Sequence, residues 1–158
     1  MRVLGVDIAT HTGLAIVDDE GGKGKQVVFP DQKGFERLQS IASEVRRTLQ
    51  IWQPDLAIIE GYAFANQNTL VTLVECGTVI RYVLHELKVP WWTMTPSSLK
   101  KWTTGSGAAS KDLMAAKVFE RWGFRSHSDD IVDAYALAQV GRLEFYKLNE
   151  LKGLNREH

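Results

Sequence analysis

Val3-Leu4-Gly5-Val6-Asp7 and Leu56-Ala57-Ile58-Ile59-Glu60 are two five-residue stretches that stay apolar until a carboxylate closes each one. Short apolar runs of this kind, bounded by turn residues, read as β-strands. A charge at the end of a central strand is costly unless it is paired or metal-bound. In an open sheet the carboxyl ends of neighbouring strands face one crevice. Asp130 and Asp133, three residues apart at the entry to the last helix, share a helix face and can join the first two acids there. An oxygen-only donor set suits a hard cation such as Mg²⁺ or Mn²⁺. Taken singly, each acid also has an ordinary reading. Asp7 suits a turn ahead of Thr10 and Gly13, and Asp129 and Asp130 suit a helix cap. Asp133 is less easily a cap, since it lies a turn further in, on the stripe of Ala134, Leu137 and Ala138. Together the four favour a metal site.

Outward from these stretches, strands are expected near 2–7, 12–18 and 25–30, with turns at Thr10 to Gly13 and Asp18 to Gly24, which makes an antiparallel meander. A helix over about 34–52 follows, striped by Phe35, Leu38, Ile41, Ala42, Val45 and Leu49 and ended by Pro54. Strand 55–60, a helix over 68–88, a strand from Trp91 to Thr95, a short helix from Pro96, and helices near 111–122 and 129–148 complete the chain. A meander followed by β-α-β-α alternation predicts an α/β fold, with a mixed five-stranded sheet and helices on both faces.

The 158 residues, 44% of them hydrophobic, suit one substantial core and hence a single domain over 1–158. Formal net charge is zero, yet residues 81–125 hold eight bases against three acids, and the remainder, which contains all four clustered acids, is correspondingly acidic. An acidic pocket beside a basic flank matches metal-dependent phosphate chemistry, although a charged segment is more often only a solvated face. The lone cysteine, Cys76, excludes an internal disulfide framework and reads as core. No signal-peptide pattern and no membrane-length apolar run is present, so a cytoplasmic protein without a membrane partner is expected.

The ordered set Gly5-Val6-Asp7 with Thr12-Gly13, Ile59-Glu60, Thr104-Gly105-Ser106-Gly107-Ala108-Ala109-Ser110-Lys111 and Asp130-Ile131-Val132-Asp133-Ala134-Tyr135-Ala136-Leu137-Ala138 resembles the RuvC family of Holliday-junction resolvases, within the ribonuclease H-like superfamily. The likeness runs from Arg2 to about Gly141, with departures at Ile8-Ala9-Thr10-His11, where many relatives have a Pro-Gly-Ser type turn, and at Gly61, where a polar residue is often seen. The resemblance implies a metal-dependent endonuclease of a bacterium or phage-infected cell that resolves four-way junctions by paired nicks. It makes Asp7, Glu60, Asp130 and Asp133 the catalytic metal-binding acids for two Mg²⁺ ions, with Mn²⁺ as a substitute, and sets Lys111 beside the scissile phosphate. It also implies a homodimer on branched DNA.

Helix 68–88 carries Leu70, Val71, Leu73, Val74, Val79, Ile80, Val83, Leu84 and Leu87, a band too broad for one buried face, which fits a dimer or a helix covered twice within its own domain. Tyr62 and Phe64, just after Glu60, are the aromatics placed to stack on an exposed base, Phe64 preferred because Ala63 and Ala65 flank it. Lys100, Lys101 and Lys111 are the bases placed to touch phosphates. Gly105, Ser106 and Gly107 are more often a plain connection than a phosphate cradle. His11 and His127 read as turn residues, and Trp91, Trp92 and Trp102 as packing. Two other classes compete. An actin-like or sugar-kinase ATPase fits Asp7-Ile8-Ala9-Thr10-His11-Thr12-Gly13 but requires two such domains, and a non-catalytic junction-binding protein has no need of clustered acids.

Overall fold

The computed structural model describes the chain except for residues 30, 63–66 and 155–158, and at 67, 68, 146 and 148–154 the backbone alone. Five strands form one sheet in the order β3-β2-β1-β4-β5. They are β1 (Val3–Asp7), β2 (Thr12–Asp18), β3 (Gly21–Val27), β4 (Leu56–Glu60) and β5 (Trp91–Met94). β2 is antiparallel to both β1 and β3, whereas β1 with β4 and β4 with β5 are parallel. The carboxyl ends of β1, β3, β4 and β5 therefore share one edge of the sheet.

Strand alternation assigns the two faces. Leu4, Val6, Leu14, Ile16, Ala57 and Ile59 point toward α1 (Gly34–Trp52) and α2 (Gln67–Glu86), where they meet Ile41, Val45, Leu49, Ile80, Val83 and Leu84. Val3, Ala15, Val17, Leu56 and Ile58 point toward α3 (Pro96–Thr104), α4 (Lys111–Trp122) and α5 (Asp129–Leu154). The expected five-stranded mixed sheet covered on both faces is present. By the same alternation, Asp7 and Glu60 belong to the α5 face.

α5 lies unusually close to the strands. A Cβ on Gly5 would fall 1.7 Å from the Ala134 carbonyl oxygen, one on Gly13 2.1 Å from the Asp130 carbonyl oxygen, and one on Gly141 2.3 Å from Ile58 Cγ1. Glycines on the strands and small residues on the helix together allow this approach, which no larger pair of surfaces would permit.

The same contact corrects one expectation. The glycines between 21 and 24 were read as part of a turn, with a strand beginning at 25. Instead β3 starts at Gly21 and the connection is only Asp19-Glu20, with the Glu20 N–H donating to Asp18 Oδ1 at 2.9 Å. Gly22 and Gly24 are strand residues lying under Tyr135 and Ile131, where a Cβ would approach to 2.6 and 2.3 Å. Three further expectations shift. β5 ends at Met94, α2 ends at Glu86, and α5 continues to Leu154. Phe35, placed on the buried stripe of α1, is 89% exposed, and Trp92 is 43% exposed rather than packed. Trp102 does pack, stacking on Trp122 at 6.1 Å, and Cys76 is buried in the α2 face.

Candidate active site

The pairing of β1 with β4 aligns Val6 with Ile59, so the next residue on each strand, Asp7 and Glu60, emerges side by side on the α5 face. Asp7 is also the register partner of Gly13, and Gly13 of Gln26. A row of four positions thus runs along the edge: Glu60, Asp7, Gly13, Gln26. The first turn of α5 passes over the gap that Gly13 leaves, which brings Asp130 beside Asp7. Ser128 fixes that turn, its Oγ accepting from the Ile131 N–H at 3.4 Å.

Asp7 is buried, and its carboxyl shares a hydrogen bond with that of Glu60. Burial, that hydrogen bond, and the negative charges of Glu60 and Asp130 hold the Asp7 carboxyl far above the ordinary carboxylate range. Burial also raises Glu60, partly offset by the hydrogen bond from Asp7 and by the charge of Lys100. Asp133, one helical turn along from Asp130, is pushed up to about 7, first by burial and then by the charges of Asp7 and Asp129. Among the described residues no three carboxylates, imidazoles or thiolates close into a ready cation cage. Clustered carboxylates without a counterion repel one another and keep protons, and the Asp7–Glu60 pair does both. The donor set is all oxygen and strained by its own charge, and this chemistry fits a divalent cation.

Lys111 opens α4, whose N-terminus Ser110 caps by accepting from the Leu113 N–H at 3.2 Å. Its ammonium lies 3.1 Å from Asp129 and adds positive potential at Asp7 and Asp133. Lys100, on α3 behind the Thr95 cap and Pro96, bears on both Glu60 and Asp133. Lys101 is exposed and is not among the leading charges acting on the raised acids. Sequence reasoning grouped Lys100 with Lys101, and the structure groups it with Lys111.

Tyr62 is partly exposed, but its hydroxyl accepts from Arg81 Nη1 at 2.7 Å, it lies against Gly77 of α2, and the Arg81 guanidinium stands 5.3 Å from the ring centroid. Arg81 thus engages its hydroxyl while the residue stays 37% exposed. Phe64 lies outside the described residues. His11 is exposed in the β1–β2 turn, which Thr12 ties by donating to the Ala9 carbonyl at 3.0 Å. His127 lines an apolar groove of about 630 Å³ with Phe119, Phe124 and Arg125.

One residue at the site escaped the sequence reading. Gln26 Nε2 donates to Asp130 Oδ2 at 3.0 Å and to Ser128 Oγ at 2.9 Å. Gln26 lies inside the strand expected over 25–30, but its place beside Asp130 depends on the register with Gly13 and on the α5 turn, which no local pattern shows.

A sheet of order β3-β2-β1-β4-β5, with acids at the ends of β1 and β4 and on the last helix, defines the ribonuclease H-like class. Residues 3–140 match the family described as crossover junction endodeoxyribonuclease RuvC, and the chain belongs to that family. The crossover junction endodeoxyribonuclease RuvC of Synechococcus sp. (strain CC9902) is 29% identical over 150 residues, covering 89% of this chain and 97% of that protein. The protein of the same name from Prochlorococcus marinus (strain MIT 9313) is also 29% identical over 150 residues, with the same shares covered. Among solved structures, Thermus thermophilus RuvC superposes with a TM-score of 0.72 at 26% identity, covering 87% of this chain and 91% of that one. T. thermophilus RuvC in complex with a Holliday junction substrate has the same fold, with a TM-score of 0.76 at 24% identity over 87% and 90% of the two chains.

Proposed function

We propose that this chain, acting as a single nuclease domain, is a metal-dependent endonuclease that resolves four-way DNA junctions by paired nicks in recombination or repair. The carrying observation is the Asp7–Glu60 pair, two carboxyls brought together at adjacent parallel strand ends, with burial and mutual repulsion only partly offset by Lys100 and Lys111. A fold that builds such repulsion into its sheet edge needs a cation to offset it. Asp7, Glu60, Asp130 and Asp133 are the residues that would hold it, as two Mg²⁺ ions for which Mn²⁺ substitutes. Bound there, the ions supply an acidified water and charge neutralisation at a phosphodiester.

The chain's own groups do the rest. Asp7, with Glu60 beside it on β4 and Asp130 over Gly13 on the first turn of α5, is positioned to serve both halves of the site. Lys100 and Lys111 approach the acids from α3 and α4, so a phosphate entering the site meets positive charge on that side. In the reaction a water oxygen bonds to phosphorus as the bond to the 3′ oxygen breaks, leaving a 5′ phosphate and a 3′ hydroxyl. The DNA substrate sets the compartment, the cytoplasm of a bacterium or phage-infected cell, and no helix among the described residues is long and apolar enough to cross a membrane. Phe64 is retained as the stacking aromatic. The engagement of Tyr62 by Arg81 favours Phe64 over it.

The partner on the other face is proposed to be a second copy. α2 buries Cys76, Ile80, Val83 and Leu84 but leaves Val71 58% and Tyr82 63% exposed. Tyr82 joins Phe35, Leu38, Ala42 and Val79 around an apolar groove of about 470 Å³ between α1 and α2. Two copies joined there would offer two sites to the two strands of one junction.

Purified protein with Mg²⁺ should nick labelled four-way junctions in symmetric pairs and leave linear duplex intact. Equal cutting of junction, fork, flap and duplex would refute junction selectivity, and no cutting of any of them in Mg²⁺ or Mn²⁺ would refute the nuclease reading.

A further inference from the structure

Gln26 occupies the α5 face of the edge strand, in the same row as Asp7 and Glu60, with Gly13 between. Because Gly13 has no side chain, the space between Gln26 and Asp7 is filled by the first turn of α5. The Gln26 amide reaches that turn with both of its hydrogens, one to Asp130 Oδ2 and one to Ser128 Oγ. Among the described residues no other hydrogen bond reaches the Asp130 carboxylate, so one oxygen is held and the other is left open. Asp130 sits among like charges, since it raises both Asp7 and Glu60, and a free carboxylate there would swing toward solvent. A neutral amide is the donor that can restrain it without competing for the cation as a charged group would.

We infer that Gln26 is a positioning residue of the cation site, holding the Asp130 carboxylate by one oxygen so that the other is presented to a bound ion. The inference rests on the metal-dependent reading of the site. Outer-shell partners of ligating carboxylates commonly contribute about 10–100-fold in metal affinity. Gln26 is exposed, so the lower end of that range is expected.

The test is Mn²⁺ binding to the full chain without DNA, by titration calorimetry, for wild type, Gln26→Met and Gln26→Ala. Both variants remove the amide, and Met keeps the length. The expected result is about tenfold weaker Mn²⁺ binding in both variants. Melting temperature in EDTA should fall less than in Ser128→Ala, which also loses the bond from the Ile131 N–H. Ser128→Ala separates restraint of Asp130 from capping of α5, because it removes the second acceptor and leaves the amide's hold on Asp130. It should lower the melting temperature while leaving Mn²⁺ affinity within about twofold of wild type. Wild-type affinity in both Gln26 variants would overturn the inference, as would a Ser128→Ala variant that loses Mn²⁺ affinity as they do. If wild type itself binds no Mn²⁺, the metal reading fails, and that outcome is distinct from a failure of the Gln26 inference alone.

Discussion

The two faces of the sheet are built to different standards of closeness. On the α5 face, Gly5 and Gly13 bring strand backbone against the helix backbone at Ala134 and Asp130, while Gly22 and Gly24 make room for the side chains of Tyr135 and Ile131. On the α1/α2 face the packing is done by ordinary aliphatics, and the outer side of α2 is left apolar and uncovered. Such close packing leaves little room for substitution, because a methyl group added at Gly5 or Gly13 would meet helix backbone atoms. The face that carries the acids is thus the face where the helix cannot slide. On the other face, the exposed apolar side of α2 is the surface proposed for a partner.

The comparison breaks first at Asp7. Asp7→Asn should reduce junction cleavage by more than about 100-fold, beyond the usual effect of an outer-shell change, while junction binding persists because Lys100, Lys101 and Lys111 are untouched. Single-turnover cleavage and gel-shift measurements on one preparation check both halves. Next is Gly5→Val, which would drive side-chain atoms into the Ala134 carbonyl and lift α5. A cost of about 3 kcal/mol or more is expected, a fall of roughly 6–12 °C in melting temperature, with loss of cleavage. If α5 could slide as freely as a helix on the other face, the variant would keep its activity.

A smaller effect is expected on the other face. Val71→Asp should leave the fold intact, within about 0.5 kcal/mol, because Val71 is exposed. It should weaken self-association at least about tenfold. Light scattering against concentration would show this, and an unchanged dimer would move the partner surface elsewhere. The smallest effect belongs to Lys101→Ala, which should only make junction binding less salt-dependent, by about 0.9 in the logarithmic slope for one lost phosphate contact. Lys100→Ala should in addition slow cleavage at saturating protein, since Lys100 is among the leading charges on Glu60 and Asp133 and Lys101 is not.

What the sequence disclosed follows the same division. The strand ends at Asp7 and Glu60 and the helix entry at Asp130 and Asp133 were legible because an apolar run closed by a charge is a local pattern. Sheet geometry brought Asp7 and Glu60 together, and the passage of α5 over Gly13 added Asp130. The first residues of β3 were not legible, because Gly22 and Gly24 serve a contact with Tyr135 and Ile131 more than a hundred residues away and glycine reads locally as a turn, and the place of Gln26 beside Asp130 depends on register and on the α5 turn. Lys100 and Lys101 are neighbours in the chain, and the orientation of α3 brings the charge of Lys100 to bear on Glu60 and Asp133. Phe35 fitted the apolar period of α1 and yet lies on the outside, since periodicity marks a face without saying what covers it.

The central claim is that the sheet edge is a charged site held in waiting for a cation, and thermal unfolding across pH tests it most directly. The folded-state pKa values of Asp7 and Asp133 lie above the unfolded value of 3.8, about 7 for Asp133, so the folded protein binds these protons more tightly than the unfolded chain does. Their contribution is therefore most favourable at low pH and is lost as pH rises through the folded values. In EDTA the melting temperature of wild type should fall between pH 5 and pH 8, Asp7→Asn should fall less, and Mn²⁺ at pH 8 should raise wild type but not Asp7→Asn. Equal pH slopes for the two proteins, with no gain from Mn²⁺ in either, would contradict the account.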